Sequence, residues 1–392
     1  MIDFEYYNPA KIVFGEHSEQ KLRELLAAYG VKSLQLVYSG DFIKTLGIYD
    51  VIKDAVKELG IRFSDNGHVV PNPSIDLVRE LVKQGKENQV DFVLAVGGGS
   101  SIDTAKAVAL GIPYDGDVWD FFEKGISPKQ VLPIGVIATT ASSGSETSNA
   151  AILSSGEWKL GFEDDRIIPK FAIMNPCRTF TLPPYQTAAG VTDMMMHTME
   201  RYFTKDDDMD LTTDLAEAVL RRMKTAVFAV LKNPEDYRQR AQIMWGGSVA
   251  HWGLTGCGVS DDWATHQLEH ELSGMFDVTH GAGLAAIWPS WARYTMHENL
   301  SRFVRFAVNV MDVPNDFTDS EGTALRGIEA MERFYHAIGM PVNIRELIGR
   351  DITDEEIKEM TRKCSRDYSA TCGALKVLKA EDMESIYRMA RG

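Results

Sequence analysis

Asp193, His197, His266 and His280 are the residues of this chain whose types and spacing point most directly to chemistry. Asp193-Met-Met-Met-His197 lies in a run, 187–203, that contains no proline. An acid and an imidazole at i and i+4 of a helix share one face, a turn apart. Further on come Asp262-Trp-Ala-Thr-His266-Gln-Leu-Glu-His270 and then Thr279-His280-Gly281. Three imidazoles and one carboxylate form a borderline-hard donor set that suits Zn²⁺ or Fe²⁺. A set without thiolates favours an open catalytic position over a closed structural one. An ion held there acts as a Lewis acid on a substrate oxygen.

A second constellation lies upstream. Gly97-Gly98-Gly99-Ser100-Ser101-Ile102-Asp103-Thr-Ala-Lys106 follows an apolar run that reads as a strand and opens a run that reads as a helix. Glycines allow positive φ and let backbone N–H groups approach an anion. The helix start adds further donors and a favourable dipole. The spacing is neither G-x-G-x-x-G nor a Walker loop. A glycine triplet alone is often only a tight turn. Placed between strand and helix, this one reads as a phosphate-binding loop, with Asp103 grouped among its binding residues. Asp103 and Lys106 either pair on the first turns of the helix or are solvated charges.

One rival pattern overlaps the histidines. His266-Gln-Leu-Glu269-His270 has the order H-x-x-E-H, which in a zinc peptidase puts two histidines on the metal and uses the glutamate as base. That reading leaves the glycine loop, Asp193 and His280 unexplained. Blander roles suit other residues nearby. His251 reads as a surface or core histidine, with lining of the substrate cleft as the alternative; Met194, Met195 and Met196 read as core packing, with one of them facing the substrate as the alternative; and Trp263 reads as core or cleft wall.

The chain has 392 residues and a net charge of −15, from 41 Lys and Arg against 56 Asp and Glu. That charge argues against a nucleic-acid surface and against adhesion to anionic lipid. The four cysteines, Cys177, Cys257, Cys364 and Cys372, are scattered and suggest neither a disulfide framework nor a zinc ribbon. The N-terminus shows no secretory pattern, and the apolar runs are too short to span a bilayer. A cytoplasmic protein is expected.

The elements that must carry these residues change character along the chain. Leu34–Tyr38, Asp91–Val96, Pro133–Ala138 and Phe171–Met174 read as buried strands, with helices over 48–59 and 101–110 between them. Beyond Thr181-Leu-Pro-Pro184 strand signals vanish, and 211–231, 237–252, 301–311, 322–339 and 380–391 read as helices. The expected fold is an α/β domain with a parallel sheet over 1–180 and an all-helical domain over 181–392.

Taken in order, these motifs resemble the iron-containing (group III) alcohol dehydrogenases. The matching stretches are Asn8–Gly15, Pro71-Asn72-Pro73, Gly97–Lys106, Ala141-Ser-Ser-Gly-Ser-Glu146, Thr181-Leu-Pro183, Gly190-Val-Thr-Asp193 and His266–His280. The stretch Asp262–Leu272 looks most like the butanol dehydrogenase and aldehyde reductase branch. The resemblance implies a Rossmann-like dinucleotide-binding domain, a helical metal domain and an active cleft between them. It implies Asp193, His197, His266 and His280 as ligands of one Fe²⁺ or Zn²⁺. It implies Asn72, Gly98, Gly99, Ser100, Thr139, Thr140, Ser143, Lys159 and Leu182 as cofactor contacts. His270 falls at the position of a histidine near the nicotinamide, which makes it the candidate proton relay. The expected reaction is hydride transfer between a nicotinamide cofactor and an alcohol or aldehyde such as butanol or butyraldehyde. The expected assembly is a homodimer. After the second strand the chain reads Ser39-Gly40-Asp41. NAD-preferring members carry an acid at the position aligned with Gly40, so Ser39 and Gly40 favour NADP(H) over NAD(H), while Asp41 is able to repel a 2′-phosphate.

Overall fold

The computed structural model describes residues 1–156 and 158–392. It divides into two compact units, Tyr7–Leu182 and Pro183–Gly392, the second taking in Met1–Tyr6.

The first unit contains strands β1 (Lys11–Phe14), β2 (Ser33–Tyr38), β3 (Arg62–Asn66), β4 (Phe92–Gly97), β5 (Ile134–Ala138), β6 (Ala150–Ser155), β7 (Trp158–Glu163) and β8 (Phe171–Met174). Six of them pair in parallel in the order β1-β8-β5-β4-β2-β3. β2, β4, β5 and β8 are buried at every position, the reason their sequences are almost continuously apolar. The two polar exceptions lie in β2: Ser33 donates through its hydroxyl to the Asn88 carbonyl, and Gln35, fully buried, donates to the Leu81 carbonyl and to Gln84 Oε1. From β2 the chain steps outward to β3, and from β4 it steps the other way to β5. Between β2 and β4 the winding therefore reverses, and ligands of such sheets bind beyond the strand ends at that point. Register makes the crevice: Tyr38 pairs with Val96, and Gly97 with Ala138. Three strands end level, so 39–40, 98–100 and 139–140 leave the sheet side by side.

Two features were not legible in the sequence. β3, Arg-Phe-Ser-Asp-Asn, is a half-exposed edge strand with little apolar signal. β6 and β7 form a separate antiparallel hairpin whose residues are mostly half-buried.

In the second unit six helices matter to the site or its support. With α1 assigned to Gly99–Gly111 of the first unit, they are α2 (Pro184–Tyr202), α3 (Asp210–Lys232), α4 (Tyr237–His251), α5 (Ala264–Phe276), α6 (His280–Thr295) and α7 (Leu300–Asn309). α2 is the central one, buried at every position from Thr187 to Tyr202. A helix buried all round normally carries apolar residues throughout. This one also carries Asp193, His197, Glu200 and Arg201, so each must find compensation inside the protein.

Small residues let neighbours approach α2. A Cβ on Gly281 of α6 would lie 2.0 Å from the Ala189 carbonyl oxygen of α2. Gly246 and Gly247 of α4 make room for Met223 and Met194 in the same way. Met194, Met195 and Met196 are all fully buried core residues. An aromatic cluster closes the other side of the unit, with Phe203 stacked on Phe303 at 4.4 Å and flanked by Phe306, Trp288 and Trp291.

The N-terminal six residues were expected with the sheet but group with the helices. The Ile2 N–H donates to the Gly258 carbonyl at 3.1 Å, and the Tyr6 ring lies 6.4 Å from that of Trp252. No helix among the described residues is long and apolar enough to cross a membrane.

Two glycine substitutions test the packing. Gly281→Ala forces a methyl into the α2 backbone and should destabilise by about 1–3 kcal/mol. Gly274, in the exposed part of α5, has nothing within 4 Å of an added Cβ. Gly274→Ala should therefore stabilise by roughly 0.5–1 kcal/mol. Urea midpoints of the two variants against the wild type would read both signs.

Candidate active site

The geometry of the carboxylate–histidine cluster begins with α2. Asp193, His197 and Glu200 stand at i, i+4 and i+7, hence on one face. Asp193 Oδ1 lies 3.4 Å from His197 Nε2, 3.7 Å from His266 Nε2 and 3.8 Å from His280 Nε2. One donor atom each from Asp193, His266 and His280 falls within 4.8 Å of the others. His197 stacks against His266 at 4.9 Å between ring centroids. Ligands 2.0–2.2 Å from a tetrahedral ion stand about 3.3–3.6 Å apart, close to these spacings. Asp193 Oδ1 and His266 Nε2 are buried without a hydrogen-bond partner. Orphaned buried acceptors facing one another are costly unless something positive lies between them. The donor set and its vacant valences therefore fit a divalent cation.

Charge and burial shift the groups of this cluster unequally. Burial alone would raise the Asp193 carboxyl, but His197, His266 and His280 outweigh it and hold it well below the ordinary carboxylate range. Burial, reinforced by His251, His266 and Arg201, outweighs Asp193 at His197 and lowers that imidazole well below its ordinary range. At His266 burial is overcome by Asp193 and Glu200, which raise it to about 9.

The surroundings hold these groups in place. Glu200 Oε1 accepts from the His266 backbone N–H at 2.9 Å and meets its Nδ1 at 3.0 Å. Glu269 is fully buried, with Oε2 against His280 Nδ1 and Oε1 against the Ser273 hydroxyl. Arg201, one turn beyond His197, donates to the His197 and Ala250 carbonyls at 2.9 Å each. Its guanidinium lies 4.8 Å above the Trp263 ring. Trp263 itself has φ 58°, a strained backbone for so bulky a residue, and its ring stands edge-on to His266 at 5.1 Å. Asp262 anchors the start of α5, accepting from the N–H groups of Ala264, Ala374 and Leu375. Burial and the neighbouring Glu200 charge push its carboxyl up to about 7.

This geometry overturns the peptidase reading. A zincin base must reach water, whereas Glu269 is fully buried and both its oxygens are engaged. His270 sits outside the Asp193 group, its ring 5.8 Å from that of His280. His251 lies beside the cluster, its ring 4.3 Å from that of His197. Glu200 was missed, although its i+7 spacing from Asp193 was visible.

The sheet unit gathers most of the other expected residues. Gly97 has φ 151° and Gly98 caps α1. An added Cβ would lie 2.5 Å from Ser101 Oγ at Gly97, 2.5 Å from Thr140 Oγ1 at Gly98 and 2.7 Å from Ser143 Oγ at Gly99. Ser39 Oγ lies within 3.7 Å of that Gly97 position. Backbone N–H groups at the start of α1 and four hydroxyls thus line one cradle, and Ser100 is on its first turn. The Thr139 N–H donates to the Gly97 carbonyl, while its hydroxyl is buried without a partner. Lys159 Nζ, on β7, donates to Asn72 Oδ1 at 3.3 Å. Asn72 is itself in a left-handed conformation, φ 52°. Leu182 ends the unit, its N–H bonded to the Thr179 carbonyl.

Asp103 departs from its expected place among ligand contacts. Its carboxylate accepts from Ser145 Oγ at 2.6 Å and from the Ile152 N–H at 3.2 Å, bracing the serine-rich loop. Lys106 is fully buried, neither solvated nor bonded directly to Asp103. It donates to Ser145 Oγ, Ser148 Oγ and the Ser148 and Ala150 carbonyls. Burial, opposed by Asp103 and Glu146, brings its ammonium down to about 8.

A parallel sheet with a glycine cradle and a helical unit with a carboxylate–histidine cluster together define a metal-dependent dehydrogenase architecture. Comparison with known proteins specifies which. Residues 9–176 match the family described as iron-containing alcohol dehydrogenase, and residues 187–391 match its C-terminal domain. The chain is 37% identical over 392 residues to the NADH-dependent butanol dehydrogenase A of Clostridium acetobutylicum, covering 99% of both chains. It is 33% identical over 352 residues to an NADPH-dependent aldehyde reductase of Escherichia coli, covering 88% of this chain and 89% of the other. A solved NADH-dependent butanol dehydrogenase A from Thermotoga maritima superposes with a TM-score of 0.95 at 33% identity, covering 100% of this chain and 99% of that one. The chain belongs to the iron-containing alcohol dehydrogenase family, in its butanol dehydrogenase branch. It is an alcohol and aldehyde oxidoreductase that uses a nicotinamide cofactor.

Lys106 gives a test of the cradle's support. Lys106→Met strands the Ser148 and Ala150 carbonyls and should cost roughly 1–3 kcal/mol. The Lys106 ammonium titrates lower in the folded chain, about 8, than its unfolded value of about 10.4. Its contribution to stability therefore rises as pH climbs from 8 to 10. The gap in urea midpoint between wild type and variant should widen over that range.

Proposed function

We propose that this enzyme interconverts short-chain aldehydes and primary alcohols, butyraldehyde and butanol among them, with Asp193, His197, His266 and His280 holding one Fe²⁺ or Zn²⁺. The observation that carries this is the convergence of three imidazole nitrogens on Asp193 Oδ1 at 3.4–3.8 Å, with two of the four donor atoms unsatisfied. When bound, such an ion supplies Lewis-acid polarisation of the substrate oxygen. Asp193 is the one charged residue in the proposed ligand set, so the ion's charge would be only partly offset by its direct ligands.

The glycine cradle fits the cofactor's diphosphate. Gly97, Gly98, Gly99 and Ser100 offer backbone N–H groups, and Ser39, Thr140 and Ser143 offer hydroxyls. In the same reading Asn72, Thr139, Lys159 and Leu182 contact the cofactor, and Asp103 acts indirectly by holding the Ser145 loop. His270 is the proton relay. The enzyme works in the cytoplasm as a homodimer.

For cofactor preference we propose NADP(H). Gly40 has φ 66°, leaves no carboxylate there, and lies next to Ser39. Asp41 is exposed and paired with Lys44 at 2.6 Å, so its charge is partly offset. The Lys44 partner holds Asp41 below its ordinary range. A second reading, NADH, has support in the names of the butanol dehydrogenase relatives.

Absorbance at 340 nm tests both levels. Purified protein with butyraldehyde should oxidise NADPH, lose activity on chelation and regain it with Fe²⁺ or Zn²⁺. NADPH should exceed NADH in kcat/KM by at least about tenfold; the reverse ratio would establish the NADH reading. Turnover insensitive to chelation, in a protein shown to be metal-free, would remove the metal proposal. For the relay, His270→Gln should lower kcat by about 10²-fold or more and flatten its pH profile, with metal content unchanged.

A further inference from the structure

We propose that Glu200 and Glu269 are positioning residues that set the ligand tautomers of His266 and His280, so that each helix carrying a ligand also orients the ligand of the next. The proposal rests on the metal reading above.

Its first observation is burial. Glu200 is 1% exposed and Glu269 is fully buried. An ionised carboxylate is costly in such places unless donors compensate it. At both, the compensating group includes the imidazole Nδ1 of a proposed ligand. A proton held on Nδ1 leaves the lone pair on Nε2, the nitrogen that faces Asp193 in both rings.

The second observation is the order of the contacts. α2 supplies Asp193 and His197, and its Glu200 reaches α5. There one oxygen takes both the backbone N–H and Nδ1 of His266, fixing ring and main chain together. α5 supplies His266, and its Glu269 reaches His280 on α6. α6 is shaped to receive it: a Cβ at Gly283 would lie 2.5 Å from Glu269 Oε1. Ser273 holds that oxygen from the other side. His197 stands outside the relay. Its Nδ1 is buried without a hydrogen-bond partner, and it shares a helix with Asp193 one turn away. The backbone of α2 already fixes that pair, whereas His266 and His280 come from separate helices and need side chains to aim them.

The test is metal affinity of apo-protein, measured by competition with a chromophoric chelator for Zn²⁺, alongside the spectrum of the Co²⁺-substituted protein. Glu200→Ala and Glu269→Ala should weaken Zn²⁺ binding about 10- to 100-fold and alter the cobalt d–d bands. Glu200→Gln and Glu269→Gln keep an acceptor oxygen and should show a smaller loss, about 3- to 10-fold. Gly283→Ala, which leaves Glu269 in the chain but displaces its carboxylate, should resemble Glu269→Gln or be weaker still. Should the alanine variants fail to fold, the glutamine variants and Gly283→Ala carry the test. Wild-type affinity and cobalt spectrum in the folded variants, with only the melting temperature lowered, would mean the carboxylates merely join helices and would overturn the proposal. Wild-type protein that takes up no stoichiometric Zn²⁺ or Co²⁺ would instead overturn the metal reading itself.

Discussion

A carboxylate buried in the middle of a helix is the constraint around which the second unit is organised. Asp193 is 6% exposed and retains its negative charge because three imidazoles surround it. Without them burial would favour the protonated acid. Meeting that demand brings α2, α5 and α6 to one point. It requires close backbone approach, which Gly281 permits, and it requires the second row of carboxylates, Glu200 and Glu269, to hold the imidazoles. Met194, Met195 and Met196 fill the irregular space left around the polar face with side chains that tolerate odd shapes.

The first unit solves a different problem with the opposite means. Its glycine loop presents bare backbone, flanked by the hydroxyls of Ser39, Thr140 and Ser143. Register ends β2, β4 and β5 at one level, and glycines keep the loop bare enough for an anion to reach N–H groups. Bare loops need support, and it comes from below. Lys106 and Asp103, both on α1, fasten the Ser145–Ala150 segment by hydrogen bonds in the interior. Two charged residues that look available for substrate or cofactor are spent on holding the loop that carries Ser143.

Strands and helices with strong periodicity were legible along the chain. β8 was expected at 171–174 and lies there, and the helix at Ile48–Glu58 differs from its expected span by one residue. Fully buried strands and long amphipathic helices announce themselves because burial demands apolar residues at a fixed period. β3 and the β6–β7 hairpin did not, since half-exposed strands carry no such demand. The residues proposed as donors stood out as residue types and, for Asp193 and His197, by helical spacing. Glu269 was legible too, but in the wrong role: its place in H-x-x-E-H suggests a base, and only its burial against His280 and Ser273 shows otherwise.

Fold class, glycine loop and the inventory of candidate donors could be read along the chain, because each depends on local pattern: period, turn chemistry, and spacing within one helix. Tertiary structure decided which donors meet. Asp193 and His197 are neighbours through α2 alone, but His266, His280, Glu200 and Glu269 come together only when three helices pack. The same packing drew Met1–Tyr6 to the helical unit and turned Asp103 and Lys106 inward. Partner choice between distant segments depends on shape, burial and charge compensation in three dimensions, and those are properties of the assembled chain rather than of any stretch of it.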